Sequence, residues 1–366
     1  MRVLLISHEA SRSGAPRVAL LAARALLEDG HRVELVTRTD GPLRAEFAAA
    51  VPTSLEVLTR VRRRLWRTRG ARRVAWWVDT VLALATVLRR RPDLVYVNSS
   101  AAAVYLGPAR LLRRRTLLHV HESGPLTAEF LERARVPTDL SGVSLVACSA
   151  SVQDDLRALT GRPPEDVALV ASVPDELQVR ALAQQQPDRS YRAGQLVVGC
   201  CGSVEHRKGA DLWVEVARRV HAALPGTSVR FVWVGDQVTP VPGADEAGAE
   251  FVGPSPNPYA HMRRFDVATL PSRDDPFPLV VLEAMALGTP VVAFDVGGVA
   301  LQVGDAGVVV PPGDVQAFAD ALVRLLLDDE ARTALGRAAA RRVDERYSVR
   351  TFDAALAAVV RGGTAR

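Results

Sequence analysis

The chain has 366 residues, 48% hydrophobic and 24% charged, which excludes wholesale disorder and exceeds one ordinary core, so two domains of about 150–200 residues are expected. No uninterrupted apolar run reaches the roughly 20 residues of a membrane span, and MRVLLISHEA leaves no room for a charged leader and a hydrophobic region, so neither an anchor nor a signal peptide is expected. The net charge of +5 is uneven: residues 1–172 hold 26 arginines against 17 acids and residues 173–366 hold 20 basic against 24 acidic residues, so the first half should draw an anionic partner.

The first strand is RVLLIS (2–7), and apolar residues at helical spacing follow over 16–29 until Gly30 stops them. HRVELVT (31–37) is the next strand. An arginine-rich run from Arg60 to Arg73 holds eight arginines with Trp66 inside it and Trp76 and Trp77 just beyond. That composition suits an anionic membrane surface, a phosphate-bearing acceptor or a solvated helix face; it also suits nucleic acid, though a nucleic-acid partner is not expected. Strands DLVYVNS (93–99), TLLHV (116–120), SLVAC (144–148) and VALVA (167–171) come next. The polar stretch 173–195, with its glutamine run, reads as a linker.

The alternation then restarts with LVVGCCG (196–202), VRFVWVG (229–235), EFVG (250–253), VATLP (267–271), PVVAF (290–294) and GVVV (307–310). Strand–helix alternation means α/β architecture: two doubly wound, Rossmann-like domains in tandem, 1–172 and 196–345, with ligands beyond the carboxyl ends of the strands and an interdomain cleft as the default site. A helix over about 346–366 could pack back on the first domain. Cys148, Cys200 and Cys201 include no CxxC pair and make no disulfide framework, which suits a reduced, cytoplasmic protein.

Of the 46 basic residues only Lys208 is lysine, which suggests a position that needs a compact point charge. It lies in GSVEHRKGADLW (202–213), between a strand and a helix, where Gly202 and Gly209 allow a tight turn and the helix start favours an anion such as a diphosphate. The spacing is not that of a Walker loop, and SHEASRSGAP after the first strand is not the GxGxxG of a nicotinamide dehydrogenase. In LPSRDDPFPLVVLEAMALGTPVVAF (270–294), a short helix from about Leu279 to Leu287 is apolar on nearly every side yet carries Glu283. A buried carboxylate needs partners, either the hydroxyls of a ligand or an arginine or amides of the domain itself. Asp275 lies in the loop before it.

This combination resembles the retaining GT-B glycosyltransferases of the family-4 group, also called glycosyl transferases group 1. Gly202 followed six residues later by Lys208–Gly209 matches that family's loop, and Pro271–Ser272 with Asp275–Ala284 match its paired-carboxylate stretch. GTPVVA, Gly297–Gly298 and the run from Gly307 to Asp314 also fit, and the likeness covers essentially the whole chain. The resemblance implies a nucleotide-sugar donor, UDP- or GDP-linked, as substrate, with no cofactor and no metal site. It implies that Lys208 binds the donor diphosphate with Gly202, Ser203 and Arg207 beside it, and that Glu283 binds the ribose hydroxyls. Asp275 would face the donor sugar, and the amides of Phe277, Leu279 and Val280 would bracket the sugar and β-phosphate. In the first domain Gly14 would let the backbone approach the diphosphate, and His121, in HVHE, would contact the sugar or assist catalysis. Lys208, Asp275 and His121 are the catalytic candidates.

Four positions depart from the family pattern: Asp275 for glutamate, Ser203 for arginine, Pro278 for glycine and Leu301 for glutamate. The acceptor implied is a small molecule, a glycan or a lipid-linked glycan bound by the first domain, with residues 60–73 as a peripheral membrane contact at the inner face. A non-catalytic nucleotide-sugar or polyanion-binding protein on the same scaffold, or a nucleotide-sugar epimerase, are the alternatives.

Overall fold

The computed structural model describes residues 1–362; the end of the helix expected to run to 366 lies outside the described residues. The chain forms two compact units, one of residues 1–172 with the C-terminal segment from Arg350, the other Val173–Val349.

The first unit is a seven-stranded parallel sheet: β1 (Arg2–Ser7), β2 (Arg32–Thr37), β3 (Thr53–Leu55), β4 (Leu94–Asn98), β5 (Arg115–Val120), β6 (Ser144–Ala147) and β7 (Val167–Leu169), in the order β3-β2-β1-β4-β5-β6-β7. Its central strands are continuous apolar runs because helices cover both faces, and Leu4, Leu5, Ile6, Val95 and Tyr96 are fully buried. The register places Ser7 opposite both Thr37 and Asn98, and Asn98 opposite His119. Residues just past these positions therefore emerge together at one edge. The edge strand β3 escapes sequence reading because three residues after Pro52 carry no period. Helix Val349–Val360 closes this unit, with Arg115 donating to the Val360 carbonyl at 2.9 Å.

The second unit repeats the scheme with β8 (Leu196–Cys201), β9 (Val229–Val234), β10 (Ala249–Gly253), β11 (Val267–Leu270), β12 (Val291–Phe294) and β13 (Val308–Val310), in the order β10-β9-β8-β11-β12-β13. Trp213 from helix Ala210–Ala223 packs edge-on against Phe231 and Trp233 in its core. Residues 173–195 are not a plain linker: they carry helix Glu176–Leu182, with Val179 inside it and Ala183 just past its end buried in this same core. The segment is polar because only one narrow stripe of a short helix turns inward.

Order reverses at β1/β4 in one sheet and at β8/β11 in the other, and at such switch points open parallel sheets take ligands.

Candidate active site

Two loops meet at the switch point of the second sheet: residues 202–209 after β8 and 271–278 after β11. They are laced by charge. Arg273 grips the Asp211 carboxylate with two bonds of 2.7 and 2.6 Å and also donates to the His206 carbonyl. This pairing holds the Asp211 carboxyl below the usual carboxylate range. Arg207, exposed, donates to the Asp274 carbonyl at 2.9 Å and to Glu205 at 3.0 Å.

Two glycines let the loops approach. Gly209 has φ +75°, and a Cβ there would lie 1.9 Å from the Pro271 carbonyl oxygen. Gly297, at φ +53°, would collide in the same way with the Asp275 carbonyl. No other residue type allows both the left-handed backbone and the contact.

Within this frame the Lys208 ammonium bonds directly to the Asp275 carboxylate, both side chains being largely buried. The sequence-derived pair is thus one physical unit. Lysine has three donors, and Asp275 is the only partner of the ammonium among the described residues. Helix Leu279–Ala286 follows, buried almost throughout, with Glu283 inside it accepting a bond from Tyr259 at 3.2 Å. Pro278 stands at its N-cap, and the first amides, Leu279 and Val280, have no carbonyl one turn back inside the helix. Gln302 braces the loop through the Pro278 carbonyl at 3.2 Å, and Gly298 donates to the Pro276 carbonyl at 2.9 Å with its Cα against the Phe277 ring. Gly202 continues β8 by donating to the Val234 carbonyl, and Ser203 beyond it is exposed.

In the first unit His121 lies just past β5. Its Nε2 is 3.1 Å from Asn98 Oδ1 and its Nδ1 3.2 Å from Ser172 Oγ. Asn98 gives its amide N–H to the Ala15 carbonyl at 2.8 Å, so its oxygen faces the histidine. The proton therefore sits on Nε2, and Nδ1 accepts from Ser172. Burial depresses the His121 pKa to about 3, with His8 adding to the effect. His121 is a neutral, oriented dipole at neutral pH. His119 stacks on it with ring centroids 4.2 Å apart and is fully buried, bonded to Tyr96 and the Val170 carbonyl. Gly14 opens helix Gly14–Glu28 at an exposed position after β1.

Beside His121, Ser99 is fully buried at φ +98° and ψ +136°, a region where non-glycine residues are strained. Glu122 holds it there: its carboxylate takes the Ser99 hydroxyl at 2.5 Å and the Ser100 hydroxyl at 2.7 Å. Residues 12–172 match the family model for Glycosyltransferase Family 4, and residues 195–328 match that for Glycosyl transferases group 1. A 2-deoxystreptamine N-acetyl-D-glucosaminyltransferase of Streptomyces fradiae is 32% identical over 317 residues, covering 76% of this chain and 74% of that one. The chain belongs to the group 1 glycosyltransferases.

A glycogen synthase of Mycobacterium tuberculosis is 31% identical over 227 residues, 59% of this chain, and the match spans about half of that relative's length (53%). Among solved structures, Anabaena HepE in complex with UDP and glucose superposes with a TM-score of 0.73 at 19% identity, covering 99% of each chain. The two doubly wound units are those of the GT-B glycosyltransferase fold. In this family member several site residues carry no signal in the sequence. Tyr259 and Gln302 reach the helix of Glu283 from distant segments, and Asn98 and Ser172 orient His121 from the ends of other strands. Only Asn98, a polar residue ending an apolar strand run, could have been singled out. Burial pushes the Cys148 and Cys200 thiols up to about 12, so they stay protonated at neutral pH.

Proposed function

We propose that the chain is a retaining glycosyltransferase that moves a hexose-type sugar from a nucleotide-diphosphate donor, UDP-linked in preference to GDP-linked, to an acceptor hydroxyl without a metal ion. The observation that carries the reading is the lone lysine held against Asp275 where the two switch-point loops of the second sheet meet, with Glu283 buried in the next helix. UDP is the nucleotide named for HepE, which supports the UDP preference.

In this reading Lys208, already fixed in place by Asp275, offers its remaining N–H donors to the diphosphate. Gly202, Ser203 and Arg207 lie along the same loop, and the amides of Phe277, Leu279 and Val280 supply further N–H groups. Glu283 takes the ribose hydroxyls. The bond from the anomeric carbon to the phosphate oxygen breaks, and its electron pair leaves with the diphosphate. The acceptor oxygen bonds to the same face, and its proton passes to the departing phosphate oxygen. The protein's work is to stabilise the charge growing on the diphosphate while Asp275 faces the electron-poor sugar.

The test measures melting shifts and nucleotide release with UDP-glucose, UDP-N-acetylglucosamine and GDP-mannose, with and without EDTA, and the anomeric configuration of the product by NMR. A tight donor raises the melting temperature. Lys208→Ala is expected to cut nucleotide release by about 10²–10³-fold, and Glu283→Ala to weaken donor binding. Full activity in both variants overturns the assignment; donor binding with no transfer or release makes the chain a binding protein.

A further inference from the structure

A cavity of about 360 Å³ opens within the first unit. That volume lies within the roughly 300–1,000 Å³ of small-molecule sites. It lies past the carboxyl ends of three strands: His8 and Glu9 follow β1, Arg38 and Thr39 follow β2, and Ala101 and Val104 follow β4. These strands flank the point where order reverses in this sheet. The opposite wall comes from the arginine-rich helix Thr59–Arg67 and its neighbours, with Trp66, Arg67, Trp76 and Arg133.

The charges divide into two sets. Arg62 is buried and Arg38 largely so, and both are cancelled by Glu56 and Asp79. Arg67 and Arg133 are exposed and pair with no carboxylate among the described residues. The Arg133 guanidinium sits 5.0 Å over the Trp66 ring, whose indole N–H is fixed by Asp79 at 3.0 Å. On the strand side Glu9 takes hydroxyl bonds from Ser11 and Ser13, and His8 and these hydroxyls hold its pKa at about 2, so it is a permanent acceptor.

We propose that this cavity binds the acceptor, and that the acceptor is a hydroxylated ring bearing a phosphate or carboxylate. The anionic group meets Arg67 and Arg133, the ring lies against the tryptophan wall, and its hydroxyls donate to Glu9. Guanidinium groups are matched to such anions, and indole faces to the C–H faces of a ring. The inference rests on the transferase reading for the word acceptor; the anion preference of the cavity does not.

Calorimetric titration of the full chain with glucose 6-phosphate, glucuronate, glucose and glucosamine tests it. At least one anionic sugar is expected to bind about tenfold tighter than glucose or glucosamine. Comparing glucose 6-phosphate with glucuronate tells phosphate from carboxylate. Arg67→Ala and Arg133→Ala are each expected to weaken the anionic sugar by about three- to tenfold, and Arg67→Glu to abolish its binding. Both side chains are exposed, so unchanged melting curves verify that the variants fold. Equal binding of neutral and anionic sugars, no binding of any sugar, or unchanged binding in Arg67→Glu overturns the proposal. Vesicles of phosphatidylglycerol that bind the chain when no anionic sugar does would overturn it in favour of a membrane surface. UDP binding to the unsubstituted chain is titrated in parallel: its absence sinks the transferase reading alone, and its presence with an unselective cavity sinks only this one.

Discussion

Each unit places buried charge just beyond the carboxyl ends of its strands, and the two do so in opposite ways. In the first, Arg38, Glu56, Arg62 and Asp79 form two-against-two ion pairs, joined by the Tyr105 hydroxyl at 2.8 Å from Glu56 and the Trp66 indole. Every charge there has an opposite neighbour, so the cluster fastens helices Thr59–Arg67 and Arg72–Arg90 to the sheet. In the second, Lys208 faces a single carboxylate and keeps donors to spare. A saturated network builds a wall, whereas an unsaturated pair is ready for a ligand.

Breaking the saturated side should give the largest effect. Asp79→Ala leaves Glu56 as the one carboxylate facing two guanidinium groups, Arg38 and Arg62, and is expected to cost about 3–5 kcal/mol of stability, read by denaturant unfolding. Arg62→Met combined with Asp79→Leu should cost clearly less than the sum of the two single changes, because the groups act as one unit. Simple additivity would show that the network is not coupled.

On the unsaturated side the frame is geometric. Gly209→Ala meets both a left-handed backbone and the Pro271 carbonyl, whereas Gly30→Ala has φ +79° with nothing within 4 Å. Gly30→Ala should cost about 1–2 kcal/mol. Gly209→Ala should cost more and also weaken UDP binding, since it pushes the two loops apart. Equal costs in unfolding would mean that the close approach carries no energy.

The last effect is absent at neutral pH and grows only as pH falls. The folded pKa of His121, about 3, lies below its ordinary 6.5, so the unfolded chain binds the proton first as pH falls. Its stabilising contribution is complete above about 6.5 and declines as pH drops toward 3, by at most about tenfold in the unfolding equilibrium per pH unit. Glu9 adds to the loss between 4.5 and about 2. Melting temperatures of the wild type and His121→Gln from pH 7 to 4 should show a shallower fall in the variant. Parallel curves would contradict the neutral-histidine assignment.

The strands were legible because a strand buried on both faces must be a near-continuous apolar run, and each run read from the sequence as a strand is a strand in the structure. The helix of Glu283 was legible for a related reason: apolar residues on all sides leave burial as its only environment, and Gly288 at φ +74° stops it where its position implied. The arginine run was not legible. Its composition looks the same whether Arg62 faces water or, as it does, Glu56 and Asp79. Those two acids are separated from Arg62 by six and seventeen residues, and only packing brings all three together.

Alternation, breakers and the position of one lysine thus determined the α/β class, two repeats of it, and the segments that could hold an anion. These are local properties, set by periodicity and residue type. The partnership of Lys208 with Asp275, the tautomer of His121 and the split of the arginines into paired and unpaired sets were decided by tertiary structure alone. Each depends on distances between atoms far apart in the chain, and electrostatic energy follows distance and burial rather than order along the sequence.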